Sequence, residues 1–540
     1  MKKTLMQLAQ EEEQNYSSPI VAAKINGEVR DIQSEYDHDD EISFIELNTA
    51  LGWRIYQRSI LFLFIVAVSN MNKEAEVVAE FTVNKGLYCE VKIPGQSINP
   101  RLIQDIEQEM RGMIANNVPI LKHGIPRQEA IELFQARGNR GKAALIASLP
   151  HPMISIYTCC NYPDYLYGAM LPETKLLGQF ALDVEQSGVL IRTPDEMTDG
   201  KIRTRVEQPK FGHILSEAKE WARILECPYI SSLNQINTEH RMGELIRVSE
   251  ALQEKRIGQI ADHIASHRNN IRLILIAGPS SSGKTSFAQR LRIQLRVNGL
   301  HPIMISLDDY FLNREDTPRN EKGQYDYESI DAIDTALFNR NMLELLNGHR
   351  VQIPYYNFIT GKREWHDDNF LLMKEDQPII IEGIHGLNER LTADIARKNK
   401  YKIYISALTQ LNIDAHNRIP TTDVRFLRRL VRDHQFRGAK AIKTIKQWPD
   451  VRAGEEKYIF PFQEEADVLF NSALIYEIGV LKKYAVPLLE AIGRGEEGYT
   501  EARLILRFLQ YVDEIHDIDD IPNNSIFREF IGKSVFFKEK

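Results

Sequence analysis

Leu273-Ile-Leu-Ile-Ala-Gly-Pro-Ser-Ser-Ser-Gly-Lys-Thr285 is an apolar run that breaks into a glycine- and serine-rich turn ending in Lys-Thr. Gly278, Gly283, Lys284 and Thr285 meet the pattern G-x-x-x-x-G-K-[ST]. Each position has a chemical reason. Gly278 and Gly283 let the backbone turn so that successive amides, with Ser280, Ser281, Ser282 and Ser286 among them, point at phosphate oxygens, and the helix that follows adds the positive end of its dipole. Lys284 supplies a mobile positive charge for the β and γ phosphates, and the Thr285 hydroxyl is a hard oxygen suited to Mg²⁺. Residues 271–277 read as a buried parallel strand and 286–297 have helical spacing, so strand, loop and helix stand in the required order. The alternative is a chance match in a flexible loop, which composition alone produces roughly once in a hundred chains of this length.

With 540 residues the chain is too long for one ordinary core, and two to four domains are expected. Apolar residues at 43% and charged residues at 26% are those of a soluble globular protein. A net charge of -8 argues against a general nucleic-acid-coating role while leaving room for a local basic patch. Cys89, Cys159, Cys160 and Cys227 fit neither a disulfide framework nor a zinc ribbon and suggest a reducing cytoplasm. The longest strongly apolar run, residues 60–68, has nine residues, half of what a membrane helix needs, so a core helix and no membrane partner are expected. The first residues lack the apolar stretch of a signal peptide, which again points to the cytoplasm.

Patterning divides the chain into six parts. Residues 1–18 are polar and expected to fray. Residues 19–54 form a β-rich module around the hairpin dipeptide Asn26-Gly27. Residues 55–230 mix helical and paired-strand patterns, 231–269 form a helical connection, 270–475 an α/β domain, and 476–540 a C-terminal helical segment and tail with no chemistry assigned.

Beyond the loop, residues 302–307 read as a second buried strand ending in Asp308-Asp309-Tyr310-Phe311. A carboxylate at the end of a parallel strand beside a phosphate loop is placed for a general base or a metal ligand; a helix cap or turn is the plainer reading. Pro378-Ile-Ile-Ile-Glu382-Gly383 ends a third strand in a single acid, where a carboxylate would orient Mg²⁺ or its water. Residues 401–407 and 467–474 complete the sheet. Asp423-Val-Arg425-Phe-Leu-Arg428-Arg429-Leu-Val-Arg432-Asp433-His-Gln-Phe-Arg437 sets arginines on one helix face, as a mobile lid that neutralises a transferring phosphoryl group would, with a solvated basic face or an RNA-binding helix as rivals. Residues 451–461 read as a loop facing the site.

These motifs, with Gln324-Tyr-Asp326-Tyr-Glu-Ser-Ile-Asp331 and Ile353-Pro-Tyr-Tyr356-Asn-Phe358-Ile-Thr360-Gly-Lys-Arg363, resemble the uridine kinase and phosphoribulokinase family of P-loop kinases. The resemblance implies an ATP-dependent transfer of a phosphoryl group to a ribose-type hydroxyl. It assigns Asp308 as the base, Lys284 and Arg428 as stabilisers of the transferring group, Glu382 with Thr285 as the magnesium site, Asp326, Tyr356 and Arg425 as the nucleoside grip, and Arg428 and Arg437 as lid contacts to ATP. Gly361 stands where uridine kinases carry a base-reading histidine, and Lys443 near the place of a lid glutamine.

The N-terminal half is similar to that of threonyl-tRNA synthetases, a ubiquitin-like TGS module followed by an editing domain, through Arg58-Ser59, Gly86-Leu-Tyr-Cys-Glu-Val, His123-Gly-Ile-Pro-Arg-Gln-Glu-Ala and the stretch 168–180. The zinc-ligand positions of that family fall on Arg58, Phe62, Leu166 and Met170, none of which can bind zinc as His or Cys would. The expected architecture is a P-loop α/β parallel sheet with flanking helices, preceded by α+β TGS-like and editing-like domains. The expected partners are Mg²⁺ with ATP, a nucleoside-type acceptor, RNA for the N-terminal half, and further copies of the chain in a homo-oligomer. An RNA-associated regulator with an ATP-driven switch, and a kinase acting on ribulose phosphate- or pantothenate-like acceptors, are the alternatives.

Overall fold

The computed structural model describes residues 3–320, 323–374, 377–409 and 411–537. Ile20–Ile25 pairs antiparallel with both Glu28–Asp31 and Ile42–Glu46. Asn26 and Gly27 take φ of +57° and +81°, the mirror-image turn that favours a two-residue hairpin. Helix α1 (Leu5–Glu12) covers this sheet, because Leu5 and Ala9, four residues apart, share one face and bury against Ala23 and Ile32. The frayed N-terminus expected from its polar composition is thus corrected from residue 3 onward: two well-spaced apolar side chains suffice to dock the helix.

Helix α2 (Ala50–Met71) is capped by the Thr49 hydroxyl, which accepts from the Gly52 amide at 3.1 Å. Its apolar run is buried on all sides, as a core helix requires. The boundary expected at residue 55 falls inside α2. The helix begins against the β module, where a Cβ on Gly52 would stand 2.2 Å from the Glu46 carbonyl. Around α2 lie a four-stranded antiparallel sheet, ordered Ala181–Glu185, Gly188–Arg192, Gly86–Lys92, Glu76–Val83, and a three-stranded sheet of Tyr162–Asp164, Met153–Cys159 and Leu121–Pro126. The four zinc-equivalent positions do meet: Arg58 Nη1 donates to the Ala169 carbonyl at 2.6 Å, beside buried Phe62, Leu166 and Met170. A guanidinium and three apolar side chains fill that place, and no group of three potential metal ligands exists among the described residues.

Helices Pro209–Ile224 and Ile230–Thr238 lead into α3 (Met242–Ser266) and then a five-stranded sheet. Strands β1 (Leu273–Ala277), β2 (Ile303–Ser306), β3 (Ile379–Glu382), β4 (Lys400–Ser406) and β5 (Val468–Asn471) run parallel in the order β2-β3-β1-β4-β5. All five β1 residues are buried. Leu273 and Leu275 face one cluster and Ile274 and Ile276 the other, so the sheet has helices on both sides, each such side chain contributing roughly 1.5–3 kcal/mol. Helix α4 (Lys284–Val297) packs with α3 on one face through Phe287, Leu291, Ile257 and Ile260.

Helix α5 (Thr421–Arg437) is followed by α6 (Ala441–Tyr458), which continues through residues expected to form a loop, with Pro449 in its interior. Helices α7 (Glu477–Glu490) and α8 (Tyr499–Leu509) pack into one cluster with Phe134, Leu145 and Leu233 from the N-terminal half. The Thr500 hydroxyl donates to the Gly27 carbonyl at 2.8 Å. The short α9 (Arg528–Ile531) is the last helix among the described residues.

Candidate active site

The phosphate loop leaves the C-terminal end of β1 and threads past β4 so closely that a Cβ on Gly278 would lie 1.9 Å from the Ile405 carbonyl; only glycine fits. Ser281 and Gly283 take φ of +59° and +84°, turning the loop into α4. The parallel register sets Ile276 beside Glu382 and Ser306 beside Glu382, which brings three strand ends to one edge. There the Thr285 hydroxyl lies 3.1 and 3.0 Å from the two Glu382 oxygens. Burial pushes the Glu382 carboxyl up to about 7, against the pull of Lys284. A hydroxyl beside a carboxylate at the mouth of a phosphate loop is a hard-oxygen pair that fits a divalent cation. Lys284 Nζ donates to the Gly278 and Pro279 carbonyls at 2.9 and 3.2 Å; burial lowers its pKa, with Glu382, Glu529 and Asp308 opposing.

Asp308 sits in a tight turn, Leu307–Tyr310, and its own amide donates to the capping Ser306 hydroxyl at 3.3 Å. Its carboxylate is open to solvent yet densely surrounded, so desolvation raises its pKa while Lys284 and Arg437 pull it down. Next to it, the Tyr356 amide donates to Asp309 at 3.4 Å, and buried Tyr356 packs on Phe311 and Phe358 with ring centroids 5.5 and 5.1 Å apart. Asp326 accepts from the Tyr458 hydroxyl at 2.8 Å. Asp308, the loop lysine and an aromatic cluster are therefore neighbours. Gly361 takes φ of +70°, and a Cβ there would lie 2.6 Å from Arg314 Nε; the arginine fills the place of the family's histidine. Lys443 is exposed on α6.

The arginine helix is not a lid in this structure. Arg425 and Arg428 are 1% and 0% exposed. Arg428 pairs with Glu477 at 2.5 Å and donates to the Ser472 carbonyl at 2.8 Å. Arg425 pairs with Glu455 and donates to the Ser280 carbonyl at 3.0 Å, so its partners lie on the loop and α6 and not at Tyr356, with which the nucleoside grip is expected. Arg437 is exposed and 3.5 Å from Asp433. The acids that draw the first two inward arrive from α6 and α7, distant in sequence.

Three further acids belong to the site's surroundings. Glu455 accepts from the Ser280 amide at 2.9 Å, and Glu529 from the Ser286 amide at 3.2 Å. Glu328, beside Asp326, is raised to about 7 by burial and by Glu455, with Lys284 and Arg429 opposing. Glu328 lies in the stretch 324–331, whose pattern signals it; Glu455 lies in residues 451–461, whose pattern predicts a loop, and nothing local marks Glu529.

A parallel sheet in this order, with a phosphate loop after its central strand β1, Glu382 ending β3 and Asp308 just past β2, defines a P-loop phosphotransferase fold. Residues 273–477 match the sequence model of the Phosphoribulokinase / Uridine kinase family. The C-terminal half of the chain carries a domain of that family. The uridine kinase of Saccharomyces cerevisiae is 32% identical over 203 residues, 37% of this chain and 36% of that one. The N-terminal half is similar to threonine–tRNA ligases: that of Acidithiobacillus ferrooxidans is 27% identical over 163 residues, 30% of this chain and 25% of the ligase. The chain thus spans about a third of the first relative and a quarter of the second. A Bacillus stearothermophilus structure described as a possible uridine kinase is 20% identical, covering 40% of this chain and 98% of that one with a TM-score of 0.27, which carries no argument.

Proposed function

We propose that the chain is a cytoplasmic ATP-dependent kinase that transfers the γ-phosphoryl group to a ribose-type hydroxyl of a nucleoside. The observation that carries this reading is the neighbourhood of Asp308, whose charge is drawn by Lys284 of the phosphate loop and whose neighbour Asp309 accepts from Tyr356 in the ring cluster of Tyr356, Phe311 and Phe358. The ring wall suits a flat base, and Asp308 stands where an acceptor hydroxyl would meet the loop. In the proposed reaction Asp308 takes the hydroxyl proton, the freed oxygen attacks the γ-phosphorus, and the bond to the bridging oxygen of ADP breaks. Lys284 and the loop amides neutralise the charge that spreads over the phosphoryl oxygens. Thr285 and Glu382 would hold Mg²⁺, which supplies charge neutralisation and orientation of the phosphates.

Four free cysteines suit a reducing compartment. The module at residues 20–46 is proposed as the TGS unit, and the similarity of the N-terminal half to tRNA ligases supports RNA as its ligand. The test is a screen of purified protein with Mg-ATP against nucleosides, ribulose 5-phosphate, pantothenate and RNA, following ADP release. A nucleoside-dependent signal is expected. ADP release that needs RNA and no small acceptor would replace the kinase with an RNA-stimulated switch.

A further inference from the structure

Residues 521–532 take no part in the phosphoryl-transfer reading, yet they lie against the phosphate loop. Glu529 Oε2 accepts from the Ser286 amide at 3.2 Å and from the Ser286 hydroxyl at 2.8 Å, at the N-terminus of α4. Ile526 presses on Gly283, where a Cβ would come within 2.4 Å of its Cγ2. The ring of Phe530 lies 4.9 Å from the guanidinium carbon of Arg428. From α4 across the loop to α5, the tail therefore presents a carboxylate, an aliphatic side chain and an aromatic ring in turn.

A nucleotide presents the first and last of these chemistries: an anion for the first helix amides and a flat π face for an arginine. The segment is anchored for this. Ile526, Phe527 and Phe530 are fully buried, the Ser525 hydroxyl donates to Glu250 on α3, and Arg528 donates to the Ile521 carbonyl at 2.7 Å. At the opposite end of the loop Glu455 accepts from the Ser280 amide, so protein carboxylates take loop amides at both ends.

We propose that residues 521–532 are an autoinhibitory strap that competes with ATP for the phosphate loop through Glu529 and Phe530. A second anion at the Ser286 amide would stand against the Glu529 charge, and a base lying on Arg428 would need the room Phe530 fills. ATP therefore binds to the strap-out state alone, and its apparent affinity falls by the fraction of molecules in that state. This rests on the reading of the loop as the ATP site.

The experiment measures binding of the non-hydrolysable analogue AMP-PNP with Mg²⁺ to the full-length protein by calorimetry, in the wild type and in Glu529→Ala and Glu529→Gln. Hydrogen exchange of the amides of residues 526–532 is followed in parallel. Glu529 is only half-buried, so both variants are expected to fold. The expected result is binding tighter by roughly tenfold in the variants and faster exchange of the strap when AMP-PNP binds the wild type. Equal or weaker binding by the variants overturns the strap, as does binding that leaves strap protection unchanged. Folded protein that binds no AMP-PNP in any form overturns the nucleotide site itself, and the strap with it.

Discussion

In the proposed reaction, Asp308 and Glu382 carry opposite demands from similar settings. For Asp308 the demand is basicity: Asp308→Asn is expected to lower kcat by about 10²–10⁴-fold while AMP-PNP affinity stays at the wild-type level, read by steady-state kinetics and calorimetry. For Glu382 it is charge. Its folded pKa of about 7 lies above the ordinary value, so the ionised form that a cation needs prevails only above pH 7. The Mg²⁺ concentration giving half-maximal activity should therefore rise between pH 8 and pH 6, approaching about tenfold per unit below 7. The same shift affects stability with the sign of a raised acid: its favourable contribution is full below the unfolded pKa and lost as pH rises to about 7. Glu382→Gln should thus raise Tm more at pH 8 than at pH 5, measured by scanning calorimetry. Lys284, Thr285, Asp308 and Glu382 were legible because each ends a local pattern, a loop or a strand. Glu455 and Glu529 were not, because they reach the loop amides across 175 and 243 residues of chain.

Among the elements, the strands were the most legible. Unbroken β-branched runs such as residues 379–381 admit little besides a doubly covered strand. Helix α6 was missed because Pro449 and Gly454 dilute its periodicity, while packing against α5 holds it helical. The arginine spacing on α5 was read correctly as one face, but not what that face meets. Arg425 and Glu455 are 1% exposed each. Removing one partner strands the other charge, so Glu455→Ala is expected to destabilise by about 3–5 kcal/mol, and a double replacement by apolar residues of similar size should recover most of it. Urea denaturation of the single and double variants checks this.

Across the whole molecule, the halves are not separable by their patterns. Phe134, Leu145 and Leu233 share a cluster with Ile478, Val480 and Phe508. A buried polar centre joins them too: Lys142 pairs with Asp164, which also receives His416 at 2.6 Å, and Lys142 lies 3.6 Å from Asp414. Burial would raise the Asp164 carboxyl, but Lys142 and His416 outweigh it and hold the group well below the usual carboxylate range. A fragment of residues 242–540 would expose the apolar side of α7 and α8. It is expected to aggregate on size-exclusion chromatography or to melt well below the intact chain. Lys142→Met, in the full chain, should lower stability by about 3–5 kcal/mol through the uncompensated Asp164 and Asp414 charges.

By itself the sequence determined the phosphate loop, the five strands that present it and the two carboxylates at their ends, because those features follow from local periodicity and from the backbone freedom of Gly278 and Gly283. Only the tertiary structure decided that the arginine helix is buried against acids from α6 and α7, that Arg314 fills the place left by Gly361, and that the C-terminal tail lies on the loop. Each of these depends on charges or volumes brought together over long separations, where no local pattern constrains which residues meet.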